Sequence, residues 1–184
     1  MALSAQGWVV RDATVEDAAA CAAVYAPYVT GTAISFEEVP PTAEQMAERI
    51  AKAQARYAYL VLARADDPAT VVGYAYGGPF AARPAYRWSA EASVYVAADA
   101  RGGGAGRALY EVLVPRLRAR GYRRLMAGIT VPNEASIGLH RAFGFTQVAL
   151  YPKVGWKLDA WRDVAWLVLD LVPQDDDPPT EPGV

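Results

Sequence analysis

The sequence of 184 residues holds one cysteine, Cys21, and one histidine, His140. A single cysteine excludes a disulfide within the chain, and no CxxC pair or Cys/His cluster has the spacing of zinc ligands, so a reducing compartment and no bound metal are expected. No stretch approaches the ~20 consecutive apolar residues that span a bilayer, and the start, MALSAQGWVV, lacks the basic-then-apolar order of an export signal. A soluble cytoplasmic protein that meets no membrane is the expectation. Nor is there the positive excess of a nucleic-acid binder. The formal net charge is −2, and it becomes +2 once the four acids of the C-terminal run, Asp175, Asp176, Asp177 and Glu181, are set aside.

What is present is a 53% hydrophobic body of the size of one domain. Residues 1–172 are expected to form that domain. The remainder, 173–184, is rich in Pro and Asp with almost nothing to bury, which predicts a disordered acidic tail. Along the body, WVVRDA reads as a strand, followed by a helix from the cap Thr14 to about Tyr28. Thr42 and Gln45 form a capping box for a second helix. The runs YAYLVLARA and TVVGYAYGG flank the turn signal Asp66, Asp67, Pro68 and read as a hairpin. ASVYVAA and RLMAGIT are further strands, NEASIGLHRAF is a short helix stopped by Gly144, and TQVALYPKV and DVAWLVLDLV are the last strands. Hairpins and crossovers together predict an α/β (α+β) domain with a mixed, mostly antiparallel sheet and helices on both faces.

The most unusual stretch is DARGGGAGRALYEVL, residues 99–113, where four glycines within five positions lead straight into an apolar helical pattern. Leu109, Val112, Leu113 and Leu117 mark its buried face and Gly121 its end. Pro115 is out of place there, and a kink or an unpaired carbonyl near Glu111 is expected. A glycine-rich turn from a strand into a helix aims backbone N–H groups and the helix dipole at an anion, with phosphate the natural ligand. Two phosphate signatures fail: GxGxxG breaks at Arg107, and no GK[ST] follows. What fits is RxxGxG, read as Arg101, Gly104 and Gly106.

RxxGxG after an apolar strand resembles the pyrophosphate-binding signature of the GNAT superfamily of acyl-CoA N-acyltransferases, and NEASIGLHRAFGF resembles its NxxAxxxYxxxGF segment. The stretches SFEEVPPT, GPFAARPAYRWSAEASVYV, IGLHRAFGF and VGWKLDAWRDVAW are similar to those of the phosphinothricin and methionine sulfoximine N-acetyltransferases, over roughly residues 8–172. The resemblance implies transfer of an acetyl group from acetyl-CoA to the amine of a small amino-acid-like substrate by direct attack on the thioester, in a homodimer. A polyamine or peptide N-terminus as acceptor, or a non-catalytic acyl-CoA sensor, are the alternatives. KLDAWRD keeps the KxxxWxD frame in Lys157, Trp161 and Asp163 but lacks the histidines and glycines of the phosphinothricin enzymes, which leaves phosphinothricin itself in question.

The site residues follow from the same resemblance. Glu91 takes the place of the general base and His140 that of the family's tyrosine, as general acid or as a proton relay with Glu91. The backbone of Val94, Tyr95 and Val96 is assigned to the acetyl and pantetheine groups. The loop Arg101, Gly102, Gly103, Gly104, Ala105, Gly106 and Arg107 is assigned to the pyrophosphate, and Asn133 and Ser136 to the pantetheine arm. Phe36, Glu37, Arg83, Tyr86 and Arg87 are expected to flank the amine, with arginine as the usual partner of a carboxylate or phosphinate.

Overall fold

The computed structural model describes residues 2–3, 7–173 and 179–183. Its strands are β1 (Ala2–Leu3), β2 (Trp8–Asp12), β3 (Tyr59–Arg64), β4 (Val71–Pro79), β5 (Ser89–Val96), β6 (Arg124–Val131), β7 (Thr146–Lys157) and β8 (Ala160–Asp170). The helices are α1 (Ala18–Gly31), α2 (Ala43–Arg56), α3 (Ala105–Ala119) and α4 (Glu134–Ala142). One sheet in the order β1-β2-β3-β4-β5-β6-β8-β7 carries the whole chain. Every neighbouring pair is antiparallel except β5 and β6.

Because successive residues of a strand point to opposite faces, β3 serves two cores at once. Leu60 and Leu62 join Leu109, Leu113 and Leu117 of α3, whereas Tyr59 and Val61 join Met46 and Ile50 of α2 and Val29 of α1. This is why YLVLA reads as an unbroken apolar run rather than an alternating one. α1 and α2 thus cover one face, and α3 and α4 the other.

The caps foreseen in the sequence form as written. Gln45 N–H donates to Thr42 Oγ1 while the Gln45 side chain accepts from Thr42 N–H. Asp17, 7% exposed, accepts from Thr14 N–H at 2.8 Å and from both arms of the Arg11 guanidinium at 2.6 and 2.7 Å. Pro115 lies inside α3 without ending it, and Pro27 lies in the same way inside α1.

The tail differs from the sequence expectation where it is described. Asp175, Asp176 and Asp177 lie outside the described residues. Beyond them Trp88 Nε1 donates to the Thr180 carbonyl at 2.8 Å, Glu181 pairs with Arg87 and Arg56, and Gly183 N–H donates to the Arg120 carbonyl. Composition alone undervalues this segment, because its anchors are backbone groups and one carboxylate facing arginines.

Candidate active site

Only three rungs join β5 to β6: Ser89 with Arg124, Ala90 with Leu125, and Glu91 with Met126. Past Met126 the strands part, and a slot opens between Ser93–Tyr95 and Ala127–Thr130, closed on one side by Asn133, Ser136 and His140 of α4. Glu91 therefore stands at the fork. On β5 the side chains of Glu91, Ser93 and Tyr95 share one face and look into a cleft of about 660 Å³, while Ala90, Ala92 and Val96 turn into the core. Burial raises the pKa of the Glu91 carboxyl.

The glycine loop borders the slot. Gly102 and Gly104 both have φ of +77°, and Gly104 caps α3 in the left-handed region, where a side chain is strained. At Gly106 an added Cβ would crowd the Leu139 side chain at 3.1 Å and touch Val94 at 4.0 Å, so α3 starts close against α4 and β5. The first helical hydrogen bond runs from Ala108 N–H to the Gly104 carbonyl. The N–H groups of Ala105, Gly106 and Arg107 have no carbonyl inside the helix to bond, which leaves a positive cradle. Arg107 pairs with Glu111, and Arg101 reaches back to the Val96 carbonyl over the Tyr28 ring. A diphosphate fits this donor set, and a narrow polar chain fits the slot beyond it.

Of the three backbone positions assigned to the thioester arm, Val94 and Tyr95 line the slot. Val96 does not, since the Tyr28 hydroxyl donates to its carbonyl at 2.6 Å and accepts from its N–H at 3.1 Å. Asn133 caps α4 by accepting from Ser136 N–H, and with Ser136 and His140 it presents one helical face to the slot.

His140 is 3% exposed. Its Nδ1 lies 2.7 Å from the Ser136 carbonyl, which can only accept, so Nδ1 carries the proton. Nε2, 3.0 Å from the Tyr110 hydroxyl, is then an acceptor. Burial lowers the imidazole pKa, which favours the neutral ring. The hydroxyl that meets Nε2 belongs to Tyr110, a fully buried side chain whose pKa is raised chiefly by burial. Tyr110 is absent from the sequence reading because it sits mid-helix among apolar residues, where a tyrosine looks like core.

In the larger cleft, Phe36 and Glu37 stand with Glu91, Tyr25, Tyr76 and Trp166 in the lining. Their loop is built by Lys157. Its buried ammonium donates to the carbonyls of Val29 (2.6 Å), Ser35 (2.6 Å) and Glu37 (2.7 Å), using all three N–H bonds and capping the C-terminal end of α1. Phe36 then lies flat against Gly155 of β7, where any Cβ would be 2.4 Å from the ring. The Glu37 carboxylate accepts from both arms of Arg49 at 2.8 and 2.9 Å and from the Tyr25 hydroxyl, and Arg49 holds its pKa low.

Arg83, Tyr86 and Arg87 are not brought into the cleft lining. They lie on a short turn beyond Pro79 that touches the cleft only through Phe80, edge-on to Trp166, with Tyr86 edge-on to Phe80. Arg87 is committed to Glu181 and to the Pro84 carbonyl, and its guanidinium stacks on Trp88 at 3.7 Å. Arg83 is exposed, with no side-chain partner among the described residues.

The profile of the acetyltransferase (GNAT) domain family matches residues 10–166. Phosphinothricin N-acetyltransferase of Alcaligenes faecalis is 44% identical over 158 residues, covering 84% of this chain and 77% of that one. L-methionine sulfoximine/L-methionine sulfone acetyltransferase of Pseudomonas paraeruginosa is 38% identical over 166 residues, 89% of this chain and 95% of that one. Among solved structures, a phosphinothricin acetyltransferase from Sinorhizobium meliloti in complex with AcCoA superposes with a TM-score of 0.89 at 35% identity, over 95% of this chain and 94% of that one.

Proposed function

The chain belongs to the GNAT acetyltransferase family, and we propose that it acetylates the amine of a small amino-acid-like substrate of the phosphinothricin, methionine sulfoximine or methionine sulfone kind. It is an acetyl-CoA-dependent N-acetyltransferase. The observation that carries the residue-level reading is the position of Glu91, a partly desolvated carboxylate at the vertex where β5 and β6 part.

Acetyl-CoA supplies an activated thioester carbonyl when bound. The pyrophosphate is held by the free N–H groups from Gly102 to Arg107 with Arg101 and Arg107 at the rim, and the pantetheine arm by Val94, Tyr95, Asn133 and Ser136. Glu91 takes a proton from the substrate ammonium, directly or through water, because an amine is mostly protonated at neutral pH and only the free base attacks. The raised pKa of Glu91 makes it a better proton acceptor than an exposed carboxylate. His140, which lines the slot, gives a proton to the leaving thiolate, and the proton that Glu91 takes from the amine replaces it, while Tyr110 orients the ring. The aromatic walls Phe36, Tyr25, Tyr76 and Trp166 suit a methionine-sized side chain. Both charged residues lining the cleft are acids and Glu37 is already paired, so Arg83 would have to swing in from its turn outside the cleft to meet the substrate's carboxylate.

Homodimerisation and a cytoplasmic location complete the reading. On the β7–β8 hairpin Val148, Leu150, Tyr151, Val154, Trp156, Leu158 and Trp161 are each half exposed or more, an apolar surface of the kind that marks an interface. Among the described residues no helix is long and apolar enough to cross a membrane. A Trp156→Glu/Trp161→Glu variant is expected to elute as a monomer where the parent is a dimer.

The direct test is thiol release from acetyl-CoA in the presence of methionine sulfoximine, methionine sulfone, phosphinothricin, ordinary amino acids or spermidine. The expected outcome is strong acceleration by the sulfoximine and sulfone. Acceleration by spermidine alone would replace the proposed substrate class with a polyamine, and binding of acetyl-CoA without release in any mixture would make the protein a sensor.

A further inference from the structure

A second cavity, of about 480 Å³, lies under α2 and is separated from the substrate cleft by Tyr25 and Tyr76, which line both. One wall is aromatic. The rings of Tyr59, Tyr74 and Tyr76 stack with centroids 5.2–6.3 Å apart and planes within 23° of parallel. Tyr59 and Tyr74 are each 1% exposed and back the wall, so the ring surface that reaches the cavity is that of the half-buried Tyr76 and Tyr57. The rim is cationic. Arg49, Lys52 and Arg56 line the cavity from α2, and their spacing of three and four residues places them on one side of that helix above the tyrosines.

Neither part is explained by acetyl transfer, which uses the cleft beyond Tyr76. Arg49 is paired with Glu37 and Arg56 with Glu181, whereas Lys52 between them has no acidic partner among the described residues. This cation over an apolar floor is complementary to a flat hydrophobic group bearing a negative charge. We propose that this cavity is a separate binding site for a small aromatic carboxylate, its ring against the tyrosines and its carboxylate on the α2 rim.

The site has a physical connection to the cleft. Both arms of the Arg49 guanidinium are bonded to the Glu37 carboxylate, and Glu37 lines the cleft while Arg49 lines the cavity. A carboxylate arriving at the rim competes with Glu37 for Arg49. Glu37 then keeps only the Tyr25 hydroxyl at 3.1 Å, and its charge is no longer neutralised beside the amine. Occupancy of the cavity therefore raises the KM of an acceptor that carries its own carboxylate. This coupling rests on the cleft being the amine site, whereas binding itself does not.

Calorimetric titration of the full-length protein, saturated with CoA, with indole-3-propionate and its neutral amide separates these points. The acid is expected to bind with a Kd below ~1 mM and at least about tenfold more tightly than the amide, the difference of one charge-assisted contact. Lys52→Glu, on the exposed side of α2, should weaken the acid about tenfold and leave the amide unchanged. Ala53→Trp should abolish binding of both by filling the cavity. No heat with the acid at ~10 mM, equal affinity for acid and amide, or undiminished binding to folded Ala53→Trp overturns the proposal. Binding by the acid with an unchanged acceptor KM overturns only the coupling.

Discussion

The ammonium of Lys157 lies 2.7 Å from the carbonyl oxygen of Glu37, a residue 120 positions earlier whose side chain faces the cleft. With the bonds to Val29 and Ser35, one side chain at the end of β7 determines the path of the loop that forms a wall of the amine site. Lys157→Met leaves three inward-facing carbonyls without a donor. The KM of the amine is expected to rise about tenfold or more, equivalent to at least ~1.4 kcal/mol, while the Kd of acetyl-CoA stays as it was. A lower Tm with an unchanged amine KM would reduce Lys157 to a scaffold residue.

Glu91 predicts the acidic limb of the pH profile. Its pKa is raised by burial, so the carboxylate accepts a proton at a pH where a surface glutamate is still ionised. The base is therefore lost as pH falls, and kcat/KM should drop through a pKa higher than that of an exposed glutamate. Glu91→Gln should lower kcat by about 10²–10⁴, with little change in acetyl-CoA affinity, and remove that limb. A Gln variant with the parental profile would exclude the role.

His140 can be watched directly, because it is the one histidine in the chain and gives the one set of imidazole signals in an NMR spectrum. Burial holds its pKa down, so those signals should remain those of the neutral ring at a pH where a free histidine is half protonated. Tyr110→Phe removes the donor to Nε2, and both turnover and the Nε2 shift should change together. A ring found charged at neutral pH would contradict the relay.

Gly104→Ala forces an alanine to adopt φ of +77° at the cap of α3. The expected cost is about 1 kcal/mol in stability, accompanied by a several-fold weaker affinity for CoA. Dephospho-CoA and CoA should be affected alike if the loop reads the pyrophosphate.

The Asp17–Arg11 pair predicts acid sensitivity. Arg11 depresses the Asp17 pKa below its unfolded value, so the stabilisation is complete above the ordinary carboxylate pKa and is lost as pH falls through the folded value. Asp17→Asn should cost about 2–3 kcal/mol near neutral pH, and the gap to the parent should narrow in acid melts.

The sequence made the strands and caps legible because they rest on local rules: Thr42 and Gln45 are three residues apart, and the helix starts where they say. RGGGAG was legible as a bare turn into a helix for the same reason. What could not be read is whatever joins distant segments. Lys157 looks like a charged residue in a surface hairpin until its three acceptors are known, and Tyr110 like one more core aromatic. Arg87 shows the converse error, since only the fold brings Glu181 against it.

The early end of the β5–β6 ladder also has a thermodynamic meaning. On the proposed reading, acetyl-CoA finishes the edges of the two parted strands, so ligand and fold share a free energy. At a hundred times its Kd, a ligand confined to the native slot adds about 2.7 kcal/mol to stability. Amide exchange in the upper halves of β5 and β6 should slow in proportion, which makes this fork a built-in gauge of the coenzyme charge of its surroundings.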